Sequence, residues 1–75
     1  MHRPTLDLRG LKCPMPALFA RRALARADAG QALEILCDDP MAAVDVPHMC
    51  HTEGYEVVES GSEDGLTRFV LRRPG

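Results

Sequence analysis

The sequence predicts a two-layer α/β sandwich: β-α-β-α-β-β order, with a four-stranded mixed sheet carrying two helices on one face. Three observations lead there. Short segments such as Thr5–Leu8 and Leu33–Cys37 alternate between apolar and polar residues, as half-buried strands do. A helical apolar stripe lies between those two segments. Gly, Pro and Asp clusters then divide the remainder into a second helix and a terminal hairpin. Two helices suffice to cover one sheet face only, hence two layers.

Thr5-Leu6-Asp7-Leu8 places Leu6 and Leu8 on one face of a first strand. After the loop Arg9–Lys12, a helix is expected from Pro14 to Ala27. Its buried stripe is Pro16, Phe19, Ala20, Ala23, Leu24 and Ala27, with Arg21, Arg22 and Arg26 opposite. Gly30 supplies the positive φ that ends the segment. In the second strand Leu33, Ile35 and Cys37 point inward and Glu34 outward. A crossover through the first helix makes these two strands parallel.

Asp38-Asp39-Pro40 breaks the second strand. The second helix should end near Glu53, before Gly54. Pro47 is acceptable in a first helical turn, which puts Asp45 at the helix cap and leaves Met41–Val44 as a lead-in or an extra turn before a kink. Tyr55–Glu59 is the third strand, 61–65 a hairpin loop, and Leu66–Arg72 the fourth strand. In that strand Phe69 and Leu71 face inward and Arg68, Val70 and Arg72 outward. Glu34 and Glu56 can then meet Arg68 and Arg72 on the open face.

Seventy-five residues make one domain, 1–75, near the lower size limit for a core without staples. The chain is 45% hydrophobic and 27% charged, which excludes disorder. A net charge of -2 and only Phe19, Tyr55 and Phe69 as aromatics argue against direct nucleic-acid binding, the least favoured function considered. The sequence shows no signal peptide and no run long enough to cross a membrane. Its three cysteines are an odd number, which points to free thiols in the cytoplasm. A monomer is expected.

The informative run is Cys13-Pro14-Met15-Pro16. With Cys13 as the helix cap, Pro14 takes the first helical position and Pro16 stays in the first turn. The prolines position the sulfur. The remaining amides of Met15 and Ala17, the helix dipole, Lys12 and Arg9 should then hold the thiol below its free pKa of about 8.5. A thioredoxin-type resolving cysteine would occupy position 16, where Pro16 stands. His2, His48 and His51 have no spacing that implies a general base for Cys13. An activated thiolate without resolver or base suits attack on sulfane sulfur, with a persulfide as product.

At these residues the sequence resembles the TusA/SirA family of sulfur carriers. The likeness runs from Leu6-Asp7-x-x-Gly10-Leu11-x-Cys13-Pro14-x-Pro16 through Arg21-Arg22, Asp38-Asp39-Pro40, Asp45-Val46-Pro47 and Cys50. It closes at Asp64-Gly65 and Arg68–Arg72. It implies sheet order 1-2-4-3 with the last strand antiparallel, and a persulfide on Cys13 relayed between a protein donor and a protein acceptor. Pathways in the family include tRNA 2-thiouridine synthesis, sulfur oxidation, molybdenum-cofactor supply, selenium metabolism and thiosulfate import. The tRNA-thiolating branch has Glu between the prolines where this sequence has Met15, which alters the docking surface and leaves the carrier chemistry intact.

Lys12, Met15, Leu18, Arg21 and Arg22 are the candidate docking residues, with Leu11 beside them. Arg21 and Arg22 read equally well as a solvated face. Cys37 reads as core, the other possibility being a partner that resolves an oxidised Cys13. Cys50 reads as packed. His48, Cys50 and His51 diverge by about 100° per residue on a helix, so no metal is expected, and no cofactor. The alternative to a carrier is a non-catalytic regulatory module that binds through the same helix end.

Overall fold

The computed structural model describes residues 4–75. The elements follow in the expected order: β1 (Thr5–Asp7), α1 (Met15–Arg26), β2 (Ala32–Cys37), α2 (Ala42–Glu53), β3 (Glu56–Glu63) and β4 (Leu66–Arg72). The sheet order is β1-β2-β4-β3. β1 runs parallel to β2, and β4 lies antiparallel to both β2 and β3. The return through α1 joins the parallel pair.

The core lies between the helices and one sheet face. β2 contributes Leu33, Ile35 and Cys37, and β4 contributes Phe69 and Leu71 at facing positions. α1 contributes Pro16, Ala20 and Leu24, spaced by four; α2 contributes Ala42, Val46 and Cys50 at the same spacing. Leu11, expected at the docking end, packs instead against this core.

On the open face Arg68 pairs with Glu34, and Arg72 reaches Glu56 at 2.5 Å, as the alternation predicts. Arg68 also meets Glu59 at 3.6 Å. Val70 points to this face yet is 0% exposed. It lies in register between Glu34 and Glu59, both of which reach Arg68 two residues away, so the ionic ladder covers an apolar centre.

Two elements differ from expectation. α2 begins at Ala42, one turn earlier than a cap at Asp45 would allow. The cause is Asp39: its carbonyl accepts the Ala42 amide at 2.9 Å and its carboxylate takes the Met41 amide at 3.5 Å. Pro47 therefore lies inside the helix. The carbonyl left without a donor belongs to Ala43, an exposed residue that water can serve. β3 runs on to Glu63 through a bulge between Val57 and Glu59, so the expected five-residue loop shrinks to Asp64-Gly65. Both turn residues have positive φ, 52° and 81°. Asp-Gly is the pair that a tight hairpin turn favours, and it outweighs the turn propensity of Gly61 and Ser62.

Arg73, unassigned in the sequence, closes the far end of α1. Its guanidinium donates to the carbonyls of Ala25 at 3.1 Å and Ala27 at 2.7 Å, which otherwise end the helix unpaired. Arg73→Ala should cost about 1 kcal/mol, read as a lower urea midpoint. Cys37 and Cys50 are 0% and 1% exposed, and burial pushes each thiol up to about 11. The unfolded chain sheds these protons at the ordinary value, so stability is full below that value and falls as pH rises towards 11. At pH 11 the loss should be about 2 kcal/mol per thiol. Urea midpoints measured from pH 7 to 11 should decline accordingly, and Cys37→Ala should remove its share of that slope.

Candidate functional site

The loop before α1 brings Cys13 to the surface. Gly10 takes a φ of 85°, which opens the turn after β1, and its amide donates to Asp38 Oδ1 at 2.9 Å. The Cys13 amide donates to Asp39 Oδ2 at 2.6 Å. A turn follows in which the Met15 amide donates to the Lys12 carbonyl at 2.8 Å, across a cis Cys13–Pro14 bond. The cap of α1 is therefore Pro14, with Met15 as the first helical residue and Pro16 as the second. The expected arrangement, with Cys13 as cap and the Met15 amide directed at the sulfur, does not form because that amide already closes the turn.

The thiol instead donates to Asp45 Oδ2 at 2.6 Å. Asp45 does not cap α2; it stands in the helix's first turn with its carboxylate turned across to α1. That hydrogen bond raises the Cys13 pKa, and desolvation and the charges of Asp45 and Asp39 add to the rise. The expected depression is overturned in sign. Arg9, counted among the activating charges, is held by Asp7 through contacts of 2.8 and 2.7 Å that draw the Asp7 carboxyl down to about 2.

A groove of about 340 Å³ starts at the sulfur and runs between the helices. Pro14, Ala17, Leu18 and Arg21 form its α1 wall. Asp45, His48, Met49, Thr52 and Glu53 form its α2 wall. Positions three and four apart on each helix thus share one face. Arg22 lies outside this groove; its guanidinium sits 5.7 Å from the Phe19 ring centre. Arg22 lines an adjoining depression that shares Leu18, Arg21 and Glu53 with the groove. Lys12 is exposed, and Met15 and Leu18 are 39% and 41% exposed. Pro16, in contrast, is core.

Sequence reasoning missed three features. His48 lines the groove with the thiol although its spacing from Cys13 suggested nothing. Met41 and Val44 are exposed apolar residues at the start of α2, hidden by the misplaced helix start. The Asp45 contact spans 32 residues, and the signal that could have found it is the common face of positions 45, 48, 49 and 52. Cys50 points into the core while His48 and His51 are exposed, so the trio diverges as helical geometry requires. Among the described residues no group of three His, Cys, Asp or Glu side chains could hold a metal ion, and no helix is long and apolar enough to cross a membrane. His2 lies outside the described residues.

Known proteins share this architecture and sequence. Residues 4–73 match the family model described as "Sulfurtransferase TusA". A "Putative sulfur carrier protein" of Archaeoglobus fulgidus is 43% identical over 68 residues, covering 89% of this chain and 88% of the relative. A protein of the same description from Neisseria meningitidis serogroup A is 36% identical over 72 residues, covering 96% and 97%. The crystal structure of a SirA-like protein from Desulfitobacterium hafniense superposes with a TM-score of 0.81 at 27% identity, covering 95% of this chain and 97% of that one. On this match across nearly its whole length, the chain belongs to the TusA sulfurtransferase family.

Proposed function

We propose that the protein is a one-domain sulfur carrier that holds sulfane sulfur as a persulfide on Cys13. Family membership supports sulfur transfer. The observation that carries the choice of residue is the partition of the cysteines: Cys13 is exposed at the mouth of the groove, while Cys37 and Cys50 are buried. A thiol must reach its partner's sulfur to exchange with it.

In loading, the Cys13 sulfur attacks the outer sulfur of a donor persulfide, R–S–SH. The donor S–S bond breaks as a new S–S bond forms on Cys13 Sγ. The donor leaves as R–S⁻ and takes up the proton that Cys13 gives up. Unloading is the same exchange with an acceptor thiol, so no external oxidant or reductant is consumed. The donor is a protein of desulfurase or rhodanese type, and the acceptor a protein of a cytoplasmic sulfur pathway. Lys12, Met15, Leu18 and Arg21 supply the contact surface around the thiol, with Arg22 at its margin. The carrier has no turnover alone.

Incubation with a sulfane-sulfur donor should add one sulfur atom to Cys13, read by mass spectrometry. Cys13→Ser should take up none while keeping its fold; equal uptake by that variant defeats the assignment. A neutral alkylating reagent should label Cys13 in the native protein, and Cys37 and Cys50 only after denaturation.

A further inference from the structure

The surroundings of Cys13 suit restraint of the thiol better than activation. Lys12 precedes it. Arg21 lies along the α1 wall, and His48 and Glu53 along the α2 wall. Asp39 holds its amide, and Asp38 holds the loop before it. Asp45 reaches the sulfur itself, at 2.6 Å. On the reading that Cys13 carries sulfur, we propose that Asp45 is a positioning residue that latches the empty carrier: its carboxylate accepts the S–H hydrogen and keeps the sulfur in its protonated, slow-reacting form.

The geometry fits that role. Asp45 is anchored in the helix backbone, its amide donating to the Met41 carbonyl at 2.8 Å, so its carboxylate is presented by a rigid first turn. The thiol offers one hydrogen, and the carboxylate takes it. Ionising the sulfur would remove that hydrogen bond and set two negative groups face to face. The loaded form is different. Once the sulfur bonded to Cβ carries a second sulfur it has no hydrogen to donate. A persulfide anion is then repelled by the same carboxylate, which turns the outer sulfur away from α2. The latch thus acts on the empty carrier and releases on loading.

The test is the rate of Cys13 alkylation by iodoacetamide against pH, in the full chain and in Asp45→Asn. Rates are read from about pH 7.5 upward. The wild-type midpoint should lie above the free-thiol value of about 8.5, and Asp45→Asn should lower it. Each tenfold gain in thiolate is offset in part by lower nucleophilicity. The variant should therefore react about threefold faster at pH 7.5 and about threefold slower on the alkaline plateau. Such a crossing marks a change in ionisation; a merely loosened fold would alter access without moving the midpoint. An unchanged or higher midpoint in Asp45→Asn overturns the latch. Should that variant fail to fold, the wild-type profile decides alone, since a midpoint at or below the free value overturns the proposal. Alkylation reads the thiol and not sulfur carriage, so this outcome is independent of the mass gain tested with Cys13→Ser.

Discussion

The carboxylate of Asp39 joins the beginnings of the two helices, and the site depends on that junction. One oxygen accepts the Cys13 amide, the other the Met41 amide, while the residue's carbonyl accepts the amide of Ala42. A single buried residue thereby closes the turn ahead of α2 and fixes the backbone from which the Cys13 sulfur projects. Asp39 is 9% exposed, and a buried carboxylate is tolerable only because amides surround it. Its neighbour Asp38 ties down Gly10 at the start of the same loop. The register this imposes brings the first turn of α2 against the thiol, and Asp45 with it. In a chain of 75 residues with a small core, a short polar junction of this kind defines the loop more sharply than apolar packing does.

The sheet serves the same end from behind. β4 is central, and its inward residues Phe69 and Leu71 face Ile35 and Leu33 across the antiparallel pair. Val70 on the other side is sealed under the Glu34–Arg68–Glu59 ladder, so the centre of this strand is buried on both faces without a third layer. Surface ion pairs of this kind contribute less than about 1 kcal/mol each, and their larger effect is to shield Val70 from water. The helices then rest on the sheet, and the groove between them has the small side chain of Ala17 in its α1 wall.

The fold was largely legible because its signals are local. Alternation in Leu33–Cys37, the stripe from Pro16 to Leu24, and Gly54 with a φ of 81° after α2 each report on neighbours a few residues away. The start of α2 misled because Asp45 followed by Pro47 imitates a cap. The helix in fact starts after Met41, behind a turn closed by the Asp39 carbonyl, and the Asp39 carboxylate is shared with a loop 26 residues earlier in the chain. The exposure of Cys13 at the start of α1 was legible from the prolines around it. Its ionisation was not, since the groups that set it, Asp45 in α2 and Asp39 just before it, lie far along the chain. Lys12 and Arg9, adjacent in sequence, suggested a positive environment. In space Arg9 turns back to Asp7, and the sulfur meets a carboxylate. Charge read along a chain predicts a pKa poorly when tertiary contacts supply the nearest partner.

A thiol of this character changes what docking must accomplish. Free in solution, a low-pKa carrier would exchange sulfur with any small thiol it met, since a stable thiolate leaves readily as well as attacking. A carboxylate beside the sulfur opposes both steps: it disfavours the thiolate and repels anionic reagents. On the proposed function, a partner that brought a cation or a strong hydrogen-bond donor into the groove would compete for Asp45 and remove both obstacles together. Selectivity then comes from where the carboxylate stands as much as from contact area. Exposed Leu18 and Met15 supply apolar contact at the α1 end, and Met41 and Val44 at the α2 end. Beyond Asp45, Arg21 and Glu53 on opposite walls add one charge of each sign to the groove. On the proposed carrier function, a partner segment complementary to that pattern would bring its own cation to the sulfur's end of the groove, which would join recognition to activation.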